Sequence, residues 1–126
     1  MALSKYKSDR KKTGGKYNKF RKKLKRDFGS DYLPVKVGEE RKKKVRTLGG
    51  NSKIRLLESK SISITDPKTG KTQKTEIITV KENPANPNFV RMNVISKGAV
   101  VETKLGMAKI TSRPGQDGTV NGILVK

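Results

Sequence analysis

No cysteine, histidine or tryptophan occurs among the 126 residues. Without cysteine there are no disulfides and no thiolate metal sites. Without histidine, transition metals lose their preferred nitrogen ligand, and acid–base chemistry near neutral pH loses its usual side chain. Nucleophilic pairs of the Ser-His or Cys-His kind cannot be built, so no catalytic residue is expected. Apolar residues are also scarce, 31% of the chain, with aromatics at 5%. Their runs stop at two or three residues, far short of the roughly 20 that a membrane-spanning helix needs. The basic start has no apolar stretch behind it and does not read as a secretory signal. The expectation is a soluble intracellular protein, one small domain plus a tail, with no metal, cofactor, membrane or small-molecule substrate.

Negative charge is the other shortage. There are 11 Asp and Glu against 31 Lys and Arg, a formal net charge of +20. The imbalance is concentrated: the first 55 residues hold 20 basic and 5 acidic side chains. Like charge at that density resists folding unless a polyanion neutralises it, and the usual polyanion is nucleic acid. The basic residues fall in three clusters, Arg10–Lys12, Arg21–Arg26 and Arg41–Lys44, with no acidic block to balance them. Lysines outnumber arginines 23 to 8. A lysine ammonium is a point charge suited to phosphates, so most of this surface should position a backbone rather than read a base sequence.

The two halves have different textures. The first 50 residues contain 14 apolar side chains, of which only Val35, Val37 and Val45 are β-branched. Burying so few cannot offset the entropy of ordering the segment, so it reads as an arm that takes shape on a partner. Within it Tyr17, Phe20, Leu24 and Phe28 fall on one helical stripe, with Gly29 as a left-handed cap and cations on the other faces. Tyr6, Tyr17, Phe20, Phe28 and Tyr32 interleave with the charges and could stack on unpaired bases or pack against protein.

From Val45 onward the pattern is strand-like. Residues 51–126 hold 25 apolar side chains, 15 of them Val or Ile. Ser61-Ile62-Ser63-Ile64-Thr65 alternates strictly. Turn residues punctuate at Gly49-Gly50-Asn51, Asp66–Gly70, Asn83–Pro87 and Pro114–Gly118. Nothing after residue 45 reads as a helix; Val90–Ile95 reads as a strand. The fold class expected is all-β: a small antiparallel β-barrel over residues 45–126, behind a basic, largely extended arm over residues 1–44 containing one short helix. Thr69-Gly70-Lys71-Thr72 mimics the end of a phosphate-binding loop, but the glycine required five residues earlier is Thr65, so it reads as a hairpin turn.

Four segments together resemble a known family: Arg10-Lys-Lys-Thr-Gly-Gly-Lys16, Val37–Asn51, Glu82–Arg91 and Ser112-Arg-Pro-Gly-Gln-Asp-Gly118. They look like the small-subunit ribosomal protein number eight of the archaeal and eukaryotic type, in its short archaeal form. The resemblance spans nearly the whole chain, in order. It departs where the family often has a tryptophan before the first motif (Tyr6 is the nearest aromatic) and a basic residue at the position of Leu48. The resemblance implies a basic extension threaded along ribosomal RNA and a compact β-barrel body. It implies RNA contacts by Arg10, Lys11, Lys12, Gly14, Gly15 and Lys16, and by Arg46, Gly49, Gly50, Asn51 and Lys53. The basic clusters add Lys19, Arg21, Lys22, Lys23, Lys25, Arg26 and Arg41. Arg55, Arg91 and Arg113 complete the candidates on the barrel rim. The expected partners are small-subunit ribosomal RNA and neighbouring ribosomal proteins. The alternative left by composition is a non-ribosomal architectural protein of chromatin that binds DNA.

Overall fold

The computed structural model describes residues 8–18, 21, 22, 24 and 28–125. The chain divides into two units, Met1–Tyr32 and Leu33–Lys126.

The second unit holds nine strands. They are β1 (Val35–Lys36), β2 (Arg41–Arg46), β3 (Ser52–Glu58), β4 (Ser61–Thr65), β5 (Thr72–Glu82), β6 (Val94–Ile95), β7 (Val100–Thr103), β8 (Gly106–Ile110) and β9 (Asn121–Leu124). Strands β4-β5-β7-β8-β9 close into a five-stranded barrel. The alternation in β4 explains which way it faces. Ile62 and Ile64 are each 1% exposed, while Ser61, Ser63 and Thr65, which alternate with them, are half-buried on the other face. They meet Ile77, Val101, Ala108, Ile110 and Val120 in one apolar core. Most pairings are antiparallel, as expected, but closure is made by a parallel pair, with Ile64 opposite Gly122 on β9. Gly122 suits that junction because a Cβ there would lie 3.0 Å from the Lys109 carbonyl oxygen. Register shifts between Ile77 and Thr79 and between Val80 and Glu82 bend the eleven-residue β5 around the barrel.

The remaining strands form a second sheet in the order β2-β3-β1-β6. Val35, Leu56 and Ile95 from this sheet join the core. The basic run Arg41–Lys44 therefore lies in an edge strand of the folded body. A lysine-rich edge resists pairing with another chain. Asn83, 7% exposed, ties the proline loop to β6. Its amide donates to the Val94 carbonyl at 3.2 Å, and its Oδ1 accepts from Ser96 and from the Ala85 backbone.

Two expectations need correction. The stretch after residue 45 contains two single-turn helices, α1 (Asn88–Arg91) and α2 (Pro114–Asp117), and a 3-10 turn at Leu48–Gly50. Val90 and Arg91 belong to α1, so the strand read at Val90–Ile95 shrinks to Val94–Ile95. The cause is local: the Asn86 side chain accepts from the Asn88 N–H at 2.9 Å, Pro87 holds φ at −58°, and Asn93 reverses the chain at φ 50°. In α2, Pro114 leads and Gly118 closes with φ 71°, the proline-first, glycine-last asymmetry of helix ends.

In the first unit, the expected helical stripe falls partly outside the described residues, which exclude Phe20. Tyr17, Leu24 and Phe28 are described and are not helical.

Candidate nucleic-acid interface

The first motif folds on itself. Arg10 and Lys16 form an antiparallel bridge. The Lys11 N–H donates to the Gly15 carbonyl at 2.8 Å, the Gly14 N–H to Lys11 at 3.0 Å, and the Tyr17 N–H to Asp9 at 3.0 Å. The Arg10 guanidinium adds a bond to the Gly14 carbonyl at 3.0 Å. Gly14 sits at φ 87°, in the left-handed region that glycine reaches without strain. The result is a tight turn that gathers Arg10, Lys11, Lys12 and Lys16, all exposed. Lys11 stands 5.6 Å from the centre of the Tyr17 ring, within cation–π range. Arg21 and Lys22 are exposed and outside any helix or strand. Lys19, Lys23, Lys25 and Arg26 lie outside the described residues.

In the second unit the cations are gathered by a hairpin. Strands β2 and β3 pair antiparallel, placing Lys43 opposite Arg55, Lys44 opposite Ile54, Val45 opposite Lys53 and Arg46 opposite Ser52. Side chains alternate between faces along a strand. Leu56 is buried at 1%, so Lys42, Lys44 and Ile54 share its face, while Lys43, Lys53 and Arg55 share the other. Both faces of the hairpin are thus cationic. Gly49, Gly50 and Asn51 form the connecting loop, with Gly49 and Gly50 at φ 76° and 77°. Neither glycine is crowded; the backbone conformation is what requires them.

Acidic side chains cancel only part of this charge. Arg41 bonds Glu58 at 3.3 Å and Lys42 pairs with Glu40. On the barrel, Lys81 holds Glu102 at 3.0 Å and Lys104 holds Glu76 at 2.6 Å. Among the described residues, Lys43, Lys44, Arg46 and Lys53 take part in no ion pair. Glu40 is held below the usual glutamate range, first by the hydrogen bond from Lys42, then by that ammonium's charge, and more weakly by Lys74. Lys42 and Lys74 line a cleft of about 190 Å³ together with Glu40, Ser61 and Ser63.

The remaining candidates divide. Arg113 precedes α2, which packs on β3, so it joins the hairpin region. Its backbone N–H donates to Asp117 at 2.8 Å, and its side chain is exposed. Arg91 ends α1, which packs against β5 and β6. Since β6 is the sheet edge opposite β2, Arg91 stands apart from the other cations of the body. Lys43 and Lys44 were not among the individual candidates. The sequence carries no signal for that pairing, since five of the six residues of the strand are cations and no apolar period marks it.

Among the described residues no group of acidic side chains could hold a metal ion, and no helix is long and apolar enough to cross a membrane. Residues 4–125 match the family described as ribosomal protein S8e. A protein of Methanobrevibacter smithii called small ribosomal subunit protein eS8 is 51% identical over 125 residues, covering 99% of this chain and 100% of that one. Proteins of the same name from Methanocella arvoryzae and Nanoarchaeum equitans are 50% and 48% identical, over 94% and 90% of this chain and 95% and 90% of their own.

Proposed function

The chain belongs to the ribosomal protein S8e family, and on that premise we propose that it is a structural constituent of the small ribosomal subunit in the cytoplasm, holding ribosomal RNA by neutralising its phosphates. Its relatives are named as ribosomal proteins and not as enzymes, and no reaction is assigned to it. Neighbouring ribosomal proteins are its further partners.

The observation that carries the mechanism is the β2–β3 hairpin, where Lys43, Lys44, Arg46 and Lys53 are exposed and have no acidic partner among the described residues. A folded body that keeps such charge on one edge gains stability when a polyanion arrives. Arg41, Arg55, Arg113 and the loop Gly49–Asn51 extend the surface, and Arg91 makes a separate contact. The turn at Arg10–Lys16, with Lys19, Arg21, Lys22, Lys23, Lys25 and Arg26, supplies a second cationic element that enters between RNA helices. The division of labour proposed is a body that docks and an arm that penetrates.

Titration of small-subunit RNA at several salt concentrations tests this. Each phosphate neutralised contributes about 0.7–0.9 to the fall of log K per decade of salt. For about eight phosphates, a fourfold rise in salt weakens binding by roughly three to four decades. The protein should also remain on small subunits through a gradient at about 0.5 M salt. A slope near zero, or equal affinity for duplex DNA and early loss from the particle, would refute the reading and favour a chromatin role.

A further inference from the structure

Leu48 is 95% exposed, whereas the other exposed large apolar residues described range from 36% to 63%. It stands at the tip of the β2–β3 hairpin, and nothing in turn chemistry asks for leucine there. The loop that carries it is fixed. The Thr47 N–H donates to the Asn51 carbonyl at 2.8 Å. The Asn51 amide donates to the Leu48 carbonyl at 3.3 Å, and the two left-handed glycines complete the reversal. Behind the tip, Arg46 and Lys44 on one face and Lys53 on the other form a collar of cations.

We propose that this hairpin is an apolar wedge for RNA: Leu48 seats against the face of an unstacked base while Lys44, Arg46 and Lys53 hold the phosphates on either side. The inference rests on the RNA-binding reading above. The occupant follows from the combination. An apolar protein surface would have to accept the collar with it, whereas a nucleic acid offers a flat apolar face flanked by anions. Apolar side chains that enter a base step are a known way to convert buried area into a defined geometry on nucleic acid. Because the tip is already ordered, little is lost in positioning it. RNA suits such a wedge because its loops and bulges present unstacked bases without prior melting.

The two contributions separate experimentally. Leu48→Ala removes apolar contact and no charge. With a transcribed small-subunit ribosomal RNA as probe, it should lower affinity on the order of tenfold to a hundredfold, with the salt slope unchanged. Arg46→Ala should instead make the slope shallower by nearly one. Leu48→Met should restore most of the affinity. In footprinting, Leu48→Ala should raise the chemical reactivity of one or two bases and leave backbone protection intact. A side chain this exposed contributes little to folding, and an unchanged urea midpoint verifies that the variant is intact. Wild-type RNA affinity for Leu48→Ala at every salt concentration overturns the wedge, even if the variant then enters particles poorly, since that result assigns the tip to a protein neighbour. Failure of the wild-type protein to bind the RNA overturns the broader reading instead.

Discussion

Lys43 and Arg55 stand directly opposite each other on the β2–β3 ladder, two cations on the same face of one hairpin. Like charges in that position disfavour the pairing by a few tenths of a kcal/mol up to about 1 kcal/mol. Lys43, exposed and in no ion pair among the described residues, is the member of the two that is placed to meet an anion outside the fold. Lys43→Thr should therefore stabilise the free protein by up to about 1 kcal/mol at low salt, since threonine also suits a strand better than lysine. The gain should shrink as salt screens the repulsion. RNA affinity should fall in the same variant, with a slope shallower by nearly one. Urea denaturation at two salt concentrations and an RNA titration check both halves. A variant neither more stable nor weaker in binding would remove the functional account of the pair.

The turn at Arg10–Lys16 leads to a different expectation. Its backbone bonds are solvent-exposed and no apolar side chain among the described residues there is buried. An isolated turn of this kind is marginal in water. Gly14→Ala forces an L-residue to φ 87°, at a cost of about 1–2 kcal/mol. That cost should reshape the cationic turn without lowering the unfolding midpoint of the β-body. RNA affinity should drop several-fold, measured at one salt concentration, while circular dichroism of the body stays the same.

How far the sequence reached can be judged at particular residues. The barrel was legible because Ser61–Thr65 alternates and its serines cannot be core. The loop at Gly49–Asn51 was legible from its glycines. The strand Arg41–Arg46 was not, because five of its six residues are cations, and no apolar period survives to mark it; it is held as an edge by pairing with β3. The short helices escaped because each is one turn, and a proline-led turn and a proline-led helix begin with the same residues. Parallel closure of β4 on β9 leaves no signature at all, since it joins segments more than fifty residues apart. Among site residues, Lys43 and Lys44 follow from register alone, and register depends on the whole sheet.

Charge pairing sets the response to acid. Glu40, Glu76 and Glu102 all lie below the usual glutamate range, held there first by hydrogen bonds from Lys42, Lys104 and Lys81. A carboxylate with a depressed folded pKa stabilises the fold above its unfolded value, about 4.3. That stability is lost as pH falls through the lower folded value. With no histidine present, no side chain titrates at its ordinary value between about pH 5.5 and 8. Stability should be flat over that span and decline below about pH 4.5. The groups are exposed, so the decline should be small. Replacing all three glutamates with glutamine should reduce it further, as thermal midpoints measured from pH 3 to 7 would show.

The contact between Gly118 and Ile54 joins stability to the interface. Gly118 closes α2 at φ 71°, and a Cβ there would lie 3.0 Å from the Ile54 carbonyl oxygen and 3.2 Å from its Cγ2. The carbonyl belongs to β3 and cannot turn aside as a flexible side chain could. Gly118→Ala thus combines backbone strain with a clash, and should cost about 2 kcal/mol or more. It should also shift the segment carrying Arg113 away from the hairpin. Arg113→Ala removes the charge alone and, at an exposed position, should leave stability within about 0.5 kcal/mol. If Arg113 acts on RNA from that position, both variants weaken binding but only the alanine at 118 lowers the urea midpoint. Equal losses of stability in the two would show that Arg113 serves the fold rather than the RNA.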